Sequence, residues 1–343
     1  MIRTGQGVKI EGAVALVTGG NGFVGCHVVR ALLARGDRVR VLARENADLS
    51  ALVGLPVEVV RGDLRYFDSV ARAVSGCNEV YHVAADYRLW LTDPAPMYAT
   101  NVAGTEYVIR AATEAGVSRI VYTSTVGALG IPHGGVGRED TPSSLAEMPG
   151  HYKRSKFMAE QQALEAARAG APVVIVNPST PIGALDFKPT PTGRIIVDFL
   201  NRRMPAYVET GLNIVDVEDV ARGHLLAAER GRIGEKYILG GENLTLKEFL
   251  GRLATISGLP APKMRIPYAV AFGYALGAEA FARTVTRRAP RASLTEVRMA
   301  RKHMFFDSSK ARAELGYSHG PIDVAIAAAI EFFRSRGTAK SAA

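Results

Sequence analysis

The sequence predicts an α/β fold, a doubly wound parallel sheet carrying a smaller C-terminal lobe, on three observations. Short apolar runs alternate with helix-period segments from residue 13 to about 181, the first run ends in a glycine-rich turn, and beyond 181 the regular alternation stops. Runs that are apolar throughout, without a polar face, signal strands buried on both sides, which a parallel sheet covered by helices provides.

Residues 13–18 (AVALVT) read as the first buried strand, and 23–35 as a helix that stops at Gly36. Strands follow at 38–43, 57–60 and 79–83. Residues 97–115 have helical periodicity up to Gly116, 118–123 form a fifth strand, 151–169 a helix up to Gly170, and 173–177 a sixth strand. A glycine just past the last apolar period is a helix stop, because it adopts the left-handed conformation that ends the hydrogen-bond ladder. Pro181, Gly183, Pro189, Pro191 and Gly193 then mark a loop-rich departure. Beyond it, 213–217 and 218–229 read as one more strand and helix returning to the sheet, and 245–257 as an amphipathic helix capped by Asn243 or Thr245.

Composition bounds the function classes. In 343 residues, 48% hydrophobic and 22% charged, there is enough apolar matter for a sizeable core, which excludes disorder for the bulk of the chain. The net charge is +9, and residues 281–303 hold seven basic side chains (Arg283, Arg287, Arg288, Arg291, Arg298, Arg301, Lys302) against the single acid Glu296. That stretch lacks interleaved aromatics and any groove-reading motif, so it reads as solvated helix faces and not as a nucleic-acid footprint. Cys26 and Cys77 make neither a disulfide framework nor a metal-ligand spacing, which predicts no metal and a reducing compartment. The N-terminus shows no continuous apolar signal region, and the longest apolar stretch, 268–282, contains Glu279 and falls short of the roughly 20 residues needed to cross a bilayer. A cytoplasmic protein without a transmembrane segment is expected; peripheral contact with a membrane surface is left open.

The chemistry begins at the first turn. Gly19-Gly20-Asn21-Gly22-Phe23-Val24-Gly25 follows a strand and opens a helix. Gly19 permits the tight turn, Gly22 lets the backbone approach a pyrophosphate, and Gly25 lets the helix pack against the strand. The phosphates would sit on free N–H groups at the helix N-terminus. The chain therefore divides into an N-terminal extension (1–12), a Rossmann-type dinucleotide-binding domain (13–181, with 212–230 returning to it) and a substrate-binding lobe (182–211 and 231–343). At the end of the second strand Arg44, followed by Glu45, stands where a ribose-binding acid is usual. A guanidinium there pairs with a 2′-phosphate, which favours NADP(H) and leaves NAD(H), with Glu45 on the ribose, as the alternative. Asp63 and Leu64 after the third strand are placed at the adenine, and Ala84 and Ala85 after the fourth beside the cofactor. His82 reads as structural.

Tyr152 and Lys156 are four residues apart and share a helix face. An ammonium beside a phenol would lower its pKa from about 10 toward neutrality and make Tyr152 an acid/base for a carbinol oxygen. Thr123, Ser124 and Thr125 end the fifth strand, where a hydroxyl can reach the same oxygen.

Through VTGGNGFVG, GDL, HVAA, YTST, YKRSK and NPST, the chain resembles the extended short-chain dehydrogenases/reductases over residues 13–317. The longer runs HVAADYRLW (82–90), HYKRSKF (151–157), VVIVNPSTPIG (173–183) and KPTPTGRIIVDFLN (188–201) are most similar to hopanoid-associated sugar epimerases. The resemblance implies Thr125 as the triad hydroxyl with Ser124 as close second, Tyr152 as acid/base, and Lys156 as its partner and a ribose ligand. It implies Gly19, Gly22, Gly25, Asp63, Ala84, Ala85, Asn177 and Pro178 around the cofactor. Dimerisation through the helices at 97–115 and 151–169 is likewise implied. Arg44 departs from sugar epimerases and resembles dihydroflavonol reductase-like members, which use NADPH. Val126-Gly127 replaces the Asp-Glu pair of the dehydratases, which argues against elimination of water.

The expected activity is hydride transfer between a nicotinamide and a secondary alcohol or ketone of a small molecule, either dihydroflavonol-reductase-like or on a (nucleotide-)sugar linked to hopanoid metabolism. The alternatives are an epimerase that retains NAD and a non-catalytic NADP-binding sensor, against which the intact Thr125, Tyr152 and Lys156 speak. Asp86, Arg88, Trp90 and Arg194 are candidate substrate contacts.

Overall fold

In the computed structural model, residues 13–282, 284 and 293–339 are described; the extension 1–12 and four arginines of the basic stretch (283, 287, 288 and 291) lie outside them. The main sheet is built from β1 (Val14–Thr18), β2 (Arg38–Ala43), β3 (Val57–Arg61), β4 (Glu79–His82), β5 (Arg119–Thr123) and β6 (Val173–Pro178), and each of these overlaps its predicted strand. The order is β3-β2-β1-β4-β5-β6 with parallel pairing throughout, so the strand order reverses between β1 and β4. That reversal opens a crevice at the carboxyl ends of β1 and β4, where a doubly wound sheet takes its ligand.

Helices cover both faces. On one, α1 (Phe23–Arg35) packs beside α7 (Val217–Arg230), burying Val28, Leu32, Val220 and Ala227 against Val17, Val41 and Val176. On the other, α2 (Phe67–Val74), α4 (Gly104–Glu114) and α5 (Gly150–Arg168) bury Val70, Val108 and Ala163 against Leu16, Ile120 and Ile175. Alternate residues of β1 thus enter opposite cores, the reason the strand reads as an unbroken apolar run. The helix predicted at 97–115 is three pieces: α3 (Ala95–Tyr98), a π-helical turn at 99–103, and α4.

The seventh strand corrects the sequence reading. The strand predicted at 213–217 is β9 (Gly211–Asp216), and it does not rejoin the main sheet: it lies between β7 (Thr180–Ile182) and β11 (Glu242–Thr245) in a separate sheet. Helix α7 does return, but the added strand is β10 (Lys236–Leu239), parallel to β6 and within the segment assigned to the substrate lobe. The Tyr237–Leu239 run is fully buried, but four residues are too few to distinguish a central strand from lobe structure by pattern alone.

The loop-rich span after Pro181 contains α6 (Pro191–Leu200), opened by Thr190, whose hydroxyl accepts from the Gly193 amide. With α8 (Leu246–Ser257) and α12 (Ile322–Ser335) it forms a third core around Phe199, Phe249 and Phe333. Thr245 is the N-cap of α8, completing a capping box with Glu248. A short parallel pair, β8 (Ala206–Val208) with β12 (Met264–Ile266), leads into α9 (Tyr268–Phe281), α10 (Leu294–Ala300) and α11 (Ser309–Leu315).

Candidate active site

The glycine turn is built as a close approach. Gly19 has φ +70°, and a Cβ there would lie 2.7 Å from the Ala84 Cα, so the ends of β1 and β4 touch through backbone alone. A Cβ on Gly25 would lie 2.0 Å from the Gly19 carbonyl oxygen, which brings α1 onto the turn. At the start of α1 the N-cap Gly22 contributes no side-chain cap, and no acid occupies the first turn. The first amides of this helix, those of Phe23, Val24 and Gly25, are thus left to an anion, as a pyrophosphate site requires.

Around the crevice, Thr18 and His82 tie β1 to β4 through a 2.7 Å contact between Oγ1 and Nδ1, and the other imidazole nitrogen meets Thr105 Oγ1 at 3.0 Å. Burial drives the His82 pKa down to about 3, helped by the Lys156 charge, so this imidazole is a neutral tether, as the sequence suggested. Asp63 is pulled below the ordinary carboxylate range chiefly by Arg65, which binds it at 2.7 Å. Leu64 is buried in the core beside it. Arg44 is exposed at the end of β2, and among the described residues it has no ion-pair partner; its charge acts on both Asp63 and Asp86.

The acid/base candidates converge at the carboxyl end of β5. Thr125 caps a short turn over residues 126–128, its hydroxyl accepting from the Gly127 amide, and lies near enough to the Tyr152 phenol to act on its titration. The predicted lowering of that phenol is not found: burial pushes it up to about 12, with Thr125 pulling the other way. The reason is where the ammonium goes. Lys156 lies against the ring of Tyr122 and donates to the Tyr122 hydroxyl and the Thr123 carbonyl, both at 2.8 Å. Sharing a helix face places two side chains side by side but does not choose their rotamers. Burial lowers Lys156 to about 7, with Glu160 opposing.

Ser124, the second hydroxyl candidate, is committed elsewhere. Its Oγ donates to the Glu160 carboxylate at 2.5 Å, and Asn177 Nδ2 donates to the same oxygen at 2.7 Å and to the Thr125 carbonyl at 3.1 Å. Asn177 and Pro178, read as cofactor contacts, are both buried at the end of β6, and Asn177 braces Thr125 from behind. Glu160, missed in the sequence, anchors this network and reaches Lys236 of β10 at 3.5 Å. Its position four residues after Lys156 on the inward face was the available signal. Asn101 was also missed: its amide holds both backbone groups of Asp86 and the Ser155 hydroxyl, joining the loop after β4 to α5.

Of the proposed substrate contacts, Asp86 and Arg88 pair with each other at 2.5 Å. Trp90 is half-buried, with its indole nitrogen unpartnered, and Arg194 is exposed near enough to act on Tyr87. A cleft of about 420 Å³ opens between the turn after Thr125 and α9, walled by Gly127, Lys153, Met304, Tyr268, Phe272 and Lys302; Thr125, Tyr152 and Lys156 do not line it. Burial and the Lys302 charge bring Lys153 down to about 8. No carboxylate stands on the turn over residues 126–128, where the stem of Lys153 lies close to Gly127. Among the described residues no cluster of side chains suits a metal ion.

A dinucleotide crevice with a hydroxyl, a phenol and a lysine at its open end defines the class of Tyr-Lys oxidoreductases and epimerases built on a Rossmann-type sheet. The chain belongs to the NAD dependent epimerase/dehydratase family, whose model matches residues 15–240, and it is an enzyme of that extended short-chain dehydrogenase/reductase group. It is 46% identical over 330 residues to a Synechocystis sp. protein provisionally named dihydroflavonol 4-reductase, spanning 95% of this chain and 96% of the relative. It is 38% identical over 323 residues to sterol demethylase protein B of Methylococcus capsulatus, with 94% and 98% covered. The solved structure of gox2253 has 47% sequence identity and a TM-score of 0.85, covering 95% of this chain and 99% of that one.

Proposed function

We propose that the protein is an NADP(H)-dependent reductase that converts a ketone to a secondary alcohol, with Tyr152 supplying the proton. The observation that carries this reading is the convergence of Thr125, Tyr152 and the buried Lys156 at the carboxyl end of β5, next to the glycine turn's side of the sheet. A bound nicotinamide would supply the hydride. The glycine turn and the uncapped start of α1 fit its pyrophosphate, and Arg44 would bind the 2′-phosphate. Thr125 orients the substrate oxygen and Tyr152 protonates it; to stabilise the phenolate left behind, the Lys156 ammonium has to turn from Tyr122 and Thr123 toward the phenol once the proton leaves. The substrate classes implied by the sequence, a dihydroflavonol-like ketone or a (nucleotide-)sugar linked to hopanoid metabolism, share this chemistry, and the nearby cleft, which sets Tyr268, Phe272 and Met304 against Lys153, Arg298, Arg301 and Lys302, suits a molecule with both ring surface and negative charge.

Arg44→Glu tests the cofactor assignment. Removing a charge-assisted phosphate contact worth about 1.5–3 kcal/mol weakens NADPH binding by roughly 10- to 100-fold and spares NADH. Tightly retained NAD with no NADPH-linked turnover in the purified wild type would instead make the protein an epimerase.

The pH profile has a definite sign. Tyr152, near 12, stays protonated across the working range, whereas Lys156 loses its charge above about 7. The kcat for ketone reduction should therefore be level at lower pH and fall as pH rises through about 7. Lys156→Met should be slow and flat over the same range; a wild-type profile flat to pH 9 would refute the role given to this ammonium.

A further inference from the structure

Helix α9 has its polarity inside out. At 100° per residue, Leu276, Ala269, Ala280, Gly273, Gly277, Val270, Phe281 and Tyr274 occupy a continuous sector of roughly 160°, and every one of them is exposed. The helix's only charge, Glu279, is on the opposite face, buried and accepting the Leu294 amide at 3.0 Å. Tyr268, Phe272 and Ala275 share that inner face, and the first two wall the cleft. A helix facing water shows the reverse arrangement. Met264, Val270, Tyr274, Leu276 and Phe281 are each more than half exposed, a concentration of large apolar groups unmatched elsewhere among the described residues.

Cations border the helix on both sides of this face, with Arg298, Arg301 and Lys302 lying beside the cleft at its inner edge. Lys263 and Arg265 precede the helix, and Arg298, Arg301 and Lys302 follow on and just after α10, which packs against α9; all five are exposed. The only acids between residues 258 and 303 are Glu279 and Glu296, and each accepts a backbone amide at the start of α10. An apolar band flanked by cations matches the surface of a bilayer containing anionic lipid, with the band at acyl depth and the cations among the headgroups. A second copy of the chain fits less well, because a two-fold pairing across α9 would oppose the same cations. Among the described residues no helix is long and apolar enough to cross a membrane, so the contact is peripheral.

We propose that α9 and its cationic rim seat the protein on an anionic membrane surface. The contact is independent of the reaction proposed above and places the cleft, which shares Tyr268 and Phe272 with this helix, at the level of the bilayer. The test is co-sedimentation of the full chain with phosphatidylcholine vesicles, with and without phosphatidylglycerol. Sedimentation is expected at least about tenfold more with the anionic vesicles and should weaken with salt. Val270→Glu combined with Phe281→Glu should abolish it, whereas Val53→Glu, at an exposed apolar site on another surface, should not; matching thermal melts establish that the variants fold. Failure of the wild type to sediment, or unchanged sedimentation of the double variant, would overturn the proposal. So would a dimer in solution without vesicles that the same double variant turns into a monomer, which would assign the face to a second copy.

Discussion

Tyr152→Phe should lower kcat by about 10²- to 10⁴-fold while leaving the dissociation constant for NADPH within about twofold of wild type. The substitution deletes one oxygen from a ring whose surroundings stay intact. The neighbouring backbone is held by Ser155, which donates to the Tyr152 carbonyl, and by Asn101, so the helix geometry should survive. What is lost is the proton donor to the substrate oxygen. The separation of the two readouts decides the matter: single-turnover kinetics at saturating cofactor report the chemical step, and fluorescence titration reports cofactor binding. Unchanged turnover would remove Tyr152 from the mechanism and leave a dinucleotide-binding protein of another kind.

Gly25→Ala should be among the most damaging single methyl groups at the described glycines. Its Cβ would lie 2.0 Å from the Gly19 carbonyl oxygen, 2.7 Å from the Gly19 carbonyl carbon and 3.0 Å from the Gly20 Cα. All three are backbone atoms, so no rotamer change relieves the overlap, and α1 must move off the turn. Overpacking of this kind costs about 1–3 kcal/mol, and here it also displaces the amides that meet the pyrophosphate. The expected result is a lower Tm together with a loss of NADPH affinity of roughly 100-fold or more. Gly251→Ala supplies the contrast: it stands within α8 with nothing within 4 Å of the added methyl, and should stabilise the protein by about 0.5–1 kcal/mol. Near-normal cofactor binding in Gly25→Ala would refute the close-approach role of this glycine.

The first six strands and the glycine turn were legible because their signals are local. A buried strand such as Val14–Thr18 is apolar at every position, and a turn that must let two backbones touch admits only glycine. The seventh strand was not legible, because Lys236–Leu239 joins β6 only after an intervening sheet and helix, and nothing within four residues encodes that partner. At the site, residue types were readable and directions were not. The spacing of Tyr152 and Lys156 gave a shared face, yet the ammonium finds two better acceptors in Tyr122 and Thr123, and burial then dominates the phenol. Glu160 escaped notice because a glutamate in a helix ordinarily faces water, whereas this one is enclosed by Ser124, Asn177 and Lys236.

The late arrival of β10 bears on how the chain is made. All six residues of β6 are buried, and its outer edge is satisfied by Gly234, Glu235 and β10, with residues 179–233 synthesised in between. During synthesis, therefore, the growing sheet ends on an apolar strand whose hydrogen-bonding edge stands open until residue 239 emerges, a template for pairing with other chains. Helix α7, made just before β10, covers the same region of the sheet and shields one face of β6 before its edge is closed. Lys236 then brings to Glu160 the last of the three groups that enclose its carboxylate, so the hydroxyl end of the candidate site is completed only when the sheet is.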